Sequence, residues 1–229
     1  MIDNITFMAA FWNEEPRVYN LLEYMTQFKN WAIVVQESSD NTLEIVTEFE
    51  TPTRKVFTDI HRGVGEASFP ELITHVPTDW TFVVSGDEWP EQGLLDALPE
   101  AVAKAESQGN DGVWLRMRSW IEEFEFTGED DAHLRLFKTS LGWPSTMHSR
   151  PMTDNTYFLD IPSAILHKRT LDEMMIDYLR YYNMGKHNPQ WKAHNTVMMH
   201  DACEAIAERK GWDFVQTKPW WDEVAKIAF

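Results

Sequence analysis

The chain has 229 residues, 43% of them hydrophobic, and its 37 acidic against 20 basic side chains give a formal net charge of −17. This length and apolar content are enough for one large α/β domain, alone or with a helical appendage, and they exclude global disorder. The negative charge disfavours sequence-independent binding to nucleic acid, and the single cysteine, Cys203, excludes an internal disulfide or a cysteine-based zinc site.

The N-terminal segment and the apolar runs bear on localisation. Residues 1–4 contain no basic stretch followed by a long apolar segment, so no secretory signal is predicted. No stretch approaches the roughly 18 uninterrupted apolar residues of a transmembrane helix. We therefore expect a soluble, cytoplasmic protein.

The first half of the chain alternates short apolar runs with amphipathic segments. The predicted strands are residues 5–12, 31–35, 55–60 and 80–84. The predicted helices begin near Pro16, at Ser39 or Asp40, in the glycine-containing turn 62–67 and at Pro90, and the last of them covers 94–105. The second helix is expected to place Leu43, Val46 and Phe49 on its inner face. This alternation predicts a doubly wound, mostly parallel sheet.

The stretch 80–90 organises the rest of the chain. Its apolar run is followed at once by a small Ser-Gly pair and then by Asp87 and Glu88. In open α/β sheets the ligand crevice lies beyond the carboxyl ends of the strands, where carboxylates suit a hard divalent cation. The alternative is that both acids begin the helix after Pro90, at the positive end of its dipole.

The pattern changes after Gly112. Residues 113–120 and 132–138 are predicted as strands, 143–151 as a loop that carries His148, and 171–184 and 191–209 as helices. His167 ends an apolar segment and precedes two basic residues, Lys168 and Arg169. A phosphate-binding basic loop is therefore an alternative to a structural role for His167.

Four separated segments resemble the motifs of the family-2 glycosyltransferases of the GT-A fold. Residues 10–15 (Ala-Phe-Trp-Asn-Glu-Glu) are similar to the family's Pro-x-Tyr-Asn-Glu-Glu motif, and 34–42 to its Val-Val-Asp-Asp-Gly-Ser-x-Asp-x-Thr element. Residues 85–88 (Ser-Gly-Asp-Glu) stand where the family has Asp-x-Asp. Residues 133–138 (His-Leu-Arg-Leu-Phe-Lys), followed by Trp143 and His148, resemble the end of its catalytic domain. Together these segments span about residues 4–151.

Three positions depart from the family pattern. Gln36 stands where the family has an acid, Glu37 replaces its second Asp, and Ser85 replaces the first Asp of Asp-x-Asp. The last Asp of that motif survives as Asp87, so the resemblance still implies metal use with one carboxylate fewer.

The resemblance implies a GT-A-like catalytic domain over residues 1–160 and a helical C-terminal extension over 161–229 packed on it. The implied reaction moves a sugar from a nucleotide-diphosphate donor to a hydroxyl acceptor with inversion, assisted by Mn²⁺ or Mg²⁺. The metal would be held by Asp87 and His148. The donor nucleotide would be bound by a set of residues at strand ends and on the last catalytic strand: Ala10, Trp12, Glu14, Glu37, Arg62 and Arg135.

Inversion needs a general base near the acceptor hydroxyl. Asp131 is the first candidate, because it lies just before the strand that carries Arg135. Asp130 and Glu129 are so close in sequence that they stay as alternatives, and Glu88 is a further candidate for support or acceptor contact.

Two other functions remain open at the level of sequence. One is a viral-type transferase that acts on hydroxymethylated DNA, which requires a local basic groove around residues such as Lys168 and Arg169. The other is a catalytically silent nucleotide-sugar-binding protein, suggested by the missing acid at position 85. The acceptor, whether glycan, small molecule or modified DNA, and a possible oligomer are not specified by the sequence.

Overall fold

A computed structural model describes residues 1–61, 64–121, 124–125, 131–145, 150–170 and 173. Its strands are β1 (Ile2–Phe11), β2 (Phe28–Gln36), β3 (Arg54–Asp59), β4 (Trp80–Val83), β5 (Glu88–Pro90), β6 (Gly112–Ile121), β7 (Phe124–Glu125), β8 (Asp131–Lys138), β9 (Thr156–Phe158) and β10 (Ile165–Arg169). Its helices are α1 (Glu15–Met25), α2 (Thr42–Glu48), α3 (Phe69–Leu72) and α4 (Gln92–Gln108), and 3₁₀ turns flank α3 at Gly65–Ser68 and Ile73–His75.

The sheet is mostly parallel at one end and mixed at the other. Its strand order is β3-β2-β1-β4-β8-β6-β10-β5, with β7 and β9 each paired to β6. The strands β3, β2, β1 and β4 run parallel to one another. β8 is antiparallel to both β4 and β6, and β10 is antiparallel to β5. The carboxyl ends of β2, β1 and β4 therefore lie side by side at one edge.

The central strands are buried on both faces, which explains why they are almost continuously apolar. On β1, Phe7 and Ala9 face a core that α1, α2 and α4 cover, whereas Met8 faces a smaller core that includes α3 and Trp143. Both cores are built from side chains with little or no exposure. This double layer fixes the positions of the loops that leave the strand ends.

The helices follow from local sequence. α1 has a proline in its first turn, where the missing N–H costs no helical hydrogen bond, and its Val18, Leu21, Leu22 and Met25 are buried. α4 ends at Gly109, which adopts a left-handed φ of 72° as helix-terminating glycines commonly do.

The structure corrects two sequence expectations. Leu43 was expected on the inner face of its helix, but it is 41% exposed, whereas Val46 is buried. α2 has seven residues, so fewer than two full turns define its inner face. The alternative that Asp87 and Glu88 begin a helix is also wrong, because Glu88 starts β5 and the helix begins at Gln92.

The chain divides into two compact units, residues 1–119 with 125–167, and residues 120–124 with 168–229. The predicted boundary after residue 160 stays a prediction. The helices predicted at 171–184 and 191–209 also stay predictions, since those segments lie almost entirely outside the described residues. In the second unit, the Lys168 ammonium lies 5.4 Å from the centre of the Trp120 ring. In the part of the chain that is described, no helix has the length and apolar character needed to span a bilayer.

Candidate active site

The loops that follow β1 and β2 are tied together by side chains from the first two motifs. Asn13 has a left-handed φ of 54°, a conformation that asparagine tolerates better than most residues. Its side-chain oxygen accepts a hydrogen bond of 2.8 Å from the backbone N–H of Ser39, and its own N–H donates to the Ser38 hydroxyl at 3.1 Å. The two strand ends are thereby held in fixed register.

Asp40 and Glu15 extend this link. The Asp40 carboxylate accepts hydrogen bonds from the backbone N–H of Glu15 and from both the N–H and the hydroxyl of Thr42. Glu15 in turn accepts from the backbone and side chain of Asn41. Burial raises the pKa of Asp40, but the hydrogen bonds from Thr42 and Glu15 outweigh burial and hold that pKa below its usual range. The charged carboxylate of Asp40 therefore links the two loops through hydrogen bonds.

A tight turn follows β4 and presents the proposed metal-binding acid. The backbone N–H of Glu88 donates to the Ser85 carbonyl at 3.1 Å, and the Glu88 carboxylate accepts from the Ser85 N–H at 2.9 Å. The other carboxylate oxygen of Glu88 pairs with the guanidinium of Arg135 on β8. The side chains of Glu88 and Arg135 are 3% and 12% exposed, so this ion pair anchors the turn from below.

Asp87 is held at the tip of that turn. Its Oδ2 atom lies 2.7 Å from Nε2 of His167, and the two side chains are 25% and 17% exposed. His167 reaches this position because β10 pairs antiparallel with β5, which places His167 opposite Glu88. From the sequence alone, the role of His167 is open between a structural one and a phosphate-binding one. Strands as short as β5 carry no periodic signal, so the pairing that brings His167 to Asp87 was not predicted.

Gly86 permits a close approach of the first motif. A Cβ atom at Gly86 would lie 2.5 Å from Cδ of Glu14, which is closer than real Cβ contacts allow. Glu14 thus packs its carboxyl group on the turn that carries Asp87. The loops after β1 and β4 meet at this point.

An aromatic pair lies on the other side of β1. The rings of Trp12 and His61 are stacked, with centroids 4.0 Å apart and planes 7° apart. Gln36, which ends β2 between them in strand order, is fully buried. Its side-chain oxygen forms a hydrogen bond of 2.7 Å with Nδ1 of His61. Gln36 is therefore a structural residue beneath the strand ends. Its amide group points into the protein, at the position where the family-2 glycosyltransferases have an acid.

The remaining predicted residues occupy varied positions. Ala10 is half-buried and close to Gly65, where an added Cβ would lie 3.1 Å from the Ala10 Cβ. Glu37 is exposed, and its backbone N–H donates to the Asp59 carbonyl at 3.0 Å. Of Asp131 the backbone is described, as the first residue of β8. Arg62, Asp130 and His148 lie outside the described residues, as does Glu129.

The carboxyl ends of the parallel strands thus bring together side chains that suit an anionic ligand bound through a metal cation. Asp87 provides an oxygen atom and His167 a nitrogen atom that could ligate a metal, and the two atoms are adjacent. Within the described ranges, no three His, Cys, Asp or Glu side chains form a preformed metal cage. A cavity of about 550 Å³ elsewhere, lined by residues 76–80, Glu106 and residues 138–140, lies at the amino end of β4 and is separate from this edge.

No protein-family profile and no curated protein sequence matches the chain. Solved structures similar to it include residues 1–349 of S. aureus TarS, with a TM-score of 0.55, 14% identity, and coverage of 95% of this chain and 77% of that one. A complex of the same TarS protein with UDP-GlcNAc has a TM-score of 0.55 and 12% identity, covering 95% and 78% of the two chains. The mannosyltransferase PcManGT from Pyrobaculum calidifontis, in complex with GDP-Man and Mn²⁺, has a TM-score of 0.55 and 14% identity, covering 98% and 73%. These likenesses show the fold, and the predicted GT-A fold class is confirmed.

Proposed function

We propose that the chain is a glycosyltransferase of the family-2 type, which transfers a sugar from a nucleotide-diphosphate donor to a hydroxyl acceptor with inversion. The observation that carries this proposal is the placement of Asp87. Its carboxylate stands at the tip of an anchored turn, at the carboxyl end of a central strand, beside loops that present Glu14 and Trp12. The similar structures contain UDP-GlcNAc in TarS and GDP-Man with Mn²⁺ in PcManGT, which supports a nucleotide-sugar donor for this chain.

The residues at the turn fit a divalent cation that is shared with the donor. Mg²⁺ and Mn²⁺ in phosphate-transfer sites are commonly held by one or two protein ligands, with substrate phosphates and water completing the shell. Asp87 and His167 would be those protein ligands, and His148 stays a prediction for a further contact. When bound, such an ion offsets the negative charge that builds on the departing diphosphate.

The buried pair of Glu88 and Arg135 supports the turn. Both oxygens of Glu88 are occupied, one by the Ser85 N–H and one by Arg135. We therefore assign Glu88 the supporting role among those that the sequence left open. For the donor phosphates, Arg62 stays the proposed guanidinium contact, because Arg135 has its Nη2 on Glu88.

The proposed general base is Asp131, with Asp130 and Glu129 as alternatives. β8 runs antiparallel to β4, with Phe82 opposite Leu136, so its first residue lies toward the carboxyl end of β4, as Asp87 does. In the proposed step the acceptor hydroxyl gives its proton to this carboxylate while its oxygen bonds to the anomeric carbon. The bond from that carbon to the phosphate oxygen breaks, and the nucleoside diphosphate leaves with the electron pair.

A donor screen tests the proposal. The purified chain is incubated with UDP- and GDP-sugars and Mn²⁺, and donor hydrolysis or transfer is followed by mass spectrometry. We expect turnover of at least one donor, and a loss of about two to three orders of magnitude in Asp87→Asn because the leaving-group charge is no longer stabilised. Asp79→Asn is the matched control, since Asp79 is exposed near the amino end of the same strand.

Three outcomes separate the functions. Turnover that depends on Asp87 supports the proposal. Binding of a nucleotide sugar without turnover on any acceptor favours a silent binding protein. Equal activity of Asp87→Asn and the chain itself removes Asp87 from the mechanism and overturns the proposal.

A further inference from the structure

The stacked rings of Trp12 and His61 connect the ends of non-adjacent strands. Trp12 follows β1 and His61 follows β3, with the end of β2 between them. Their centroid distance of 4.0 Å and interplanar angle of 7° describe a parallel stacked pair. A side chain so placed cannot change rotamer without breaking the stack, so His61 restricts the orientation of the Trp12 ring.

His61 is itself fixed by a directed chain of hydrogen bonds. The Gln36 Nε2 atom faces the Val64 and Gly65 carbonyls at 3.1 and 3.3 Å and the Ser68 hydroxyl at 2.9 Å. Carbonyls only accept, so the nitrogen of this amide must face them and the oxygen must face His61. His61 therefore donates from Nδ1. The chain continues from Ser68, whose hydroxyl donates to the Asp59 carboxylate at 2.8 Å.

The central hydrogen bonds of this series, around Gln36 and Ser68, are buried. Gln36 is 0% exposed and Ser68 is 3% exposed, so these hydrogen bonds do not compete with water. Donors aligned in one direction toward a carboxylate polarise one another and strengthen the chain. The ring of His61 is thus set by the protein interior, while Trp12 is half-buried at the edge where the strands end.

We infer that His61 is a positioning residue that holds Trp12 as a rigid platform for the base of the nucleoside diphosphate. This inference rests on the proposed function, because it assigns a role to the donor's base at that same edge. Every nucleobase has a π-face that stacks on an aromatic ring, and such stacking is strongest when the ring does not have to be ordered on binding. Gln36, Ser68 and Asp59 act through His61 and do not contact the base.

The test compares nucleotides with a ligand that has no base. Calorimetry with Mn²⁺ measures the affinities of UDP, GDP and inorganic pyrophosphate for the unmodified chain, His61→Ala and His61→Phe. We expect His61→Ala to weaken UDP or GDP binding about fivefold to tenfold, the size of a lost aromatic stack, and to leave pyrophosphate binding unchanged. His61→Phe keeps a flat ring on Trp12 but loses the Nδ1 hydrogen bond to Gln36, so it should recover only part of the nucleotide affinity.

A second stacked histidine provides the matched control. His75 lies on Phe57 with a centroid distance of 4.5 Å, and it is removed by His75→Ala, which should leave nucleotide binding unchanged. Ser68→Ala breaks the hydrogen-bond chain one step beyond Gln36 and should weaken nucleotide binding by a smaller factor than His61→Ala.

The outcomes separate this inference from the proposed function. Equal nucleotide affinity of His61→Ala and the unmodified chain overturns the platform while leaving the transferase intact. A parallel loss of pyrophosphate binding also overturns it, because the histidine would then act on the whole site. Nucleotide binding by none of the proteins overturns the proposed function and the platform together.

Discussion

Replacing Gln36 by glutamate tests the interior role of a residue that the resemblance places in the donor site. In the structure the Gln36 nitrogen donates to two backbone carbonyls, of Val64 and Gly65, and to the hydroxyl of Ser68. A carboxylate would put an oxygen against those acceptors. The Ser68 hydrogen is already donated to Asp59, so it does not compensate.

The expected cost follows from those contacts. Leaving buried acceptors without a donor costs about 1–3 kcal/mol, and a buried carboxylate that keeps only the Nδ1 donor of His61 adds a further desolvation cost. Because the two effects overlap and the site can relax, we expect Gln36→Glu to lower the free energy of unfolding by about 3–5 kcal/mol. Gln36→Met has similar length and no charge, and it should lower that free energy by about 1–3 kcal/mol, leaving the difference as the contribution of the charge.

The assay is denaturant unfolding followed by circular dichroism, with the midpoint compared among variants. Glu37→Gln is the matched control, since it is the reverse exchange at the exposed neighbouring position and should change stability by no more than about 0.5 kcal/mol. If Gln36→Glu unfolds at the same midpoint as the unmodified chain, the inward orientation of this amide is refuted. The side chain at position 36 would then face the strand ends and not the protein interior.

Three further variants probe the loops at the same edge. Gly86→Ala places a Cβ 2.5 Å from Cδ of Glu14, so it should move that carboxyl group off the turn and weaken nucleotide binding by about twofold to tenfold, measured by calorimetry. An unchanged affinity would mean that the position of the Glu14 carboxyl group does not matter for nucleotide binding. His167→Ala should weaken Mn²⁺-dependent nucleotide binding by about 10- to 100-fold without affecting binding in EDTA, and a loss of equal size in both conditions would exclude a metal-linked role. Asp40 has a lowered pKa, so its stabilisation is present above the ordinary carboxyl value of 3.8 and is lost as pH falls through the folded value. The stability difference between the unmodified chain and Asp40→Asn should therefore shrink between pH 5 and pH 3. A constant difference would contradict the role of the charged Asp40 carboxylate in linking the two loops.

The parallel half of the fold could be predicted because its strands are buried on both faces. Continuous apolar runs such as residues 31–35 and 80–84 can be recognised as strands without knowing which strands they pair with. The helices between the strands have clear apolar faces. Those two features fix both the α/β class and the edge where Asp87 emerges. The more specific GT-A fold class, which is confirmed, came from the resemblance of the four motifs over about residues 4–151.

The contacts of the site were less accessible to sequence analysis, because they depend on pairing between distant short segments. β5 and β10 are three and five residues long, and neither has a period that predicts its partner. The contact of Asp87 with His167 follows from their pairing. Gln36 shows a different limit. Its substitution for an acid is visible in the sequence, but the direction of its side chain depends on carbonyls 28 and 29 residues away.

The contact between Asp87 and His167 joins residues 80 positions apart. During synthesis, Asp87 emerges from the ribosome well before its partner does. A nascent chain that stops after residue 160 contains β1 to β4 with α4 but lacks β10, so it has the parallel sheet without the imidazole beside Asp87. At a translation rate of about 5–20 residues per second, this interval lasts several seconds. The order of the strands along the chain thus gives the growing protein time to fold its scaffold before the acid at its edge gains its partner.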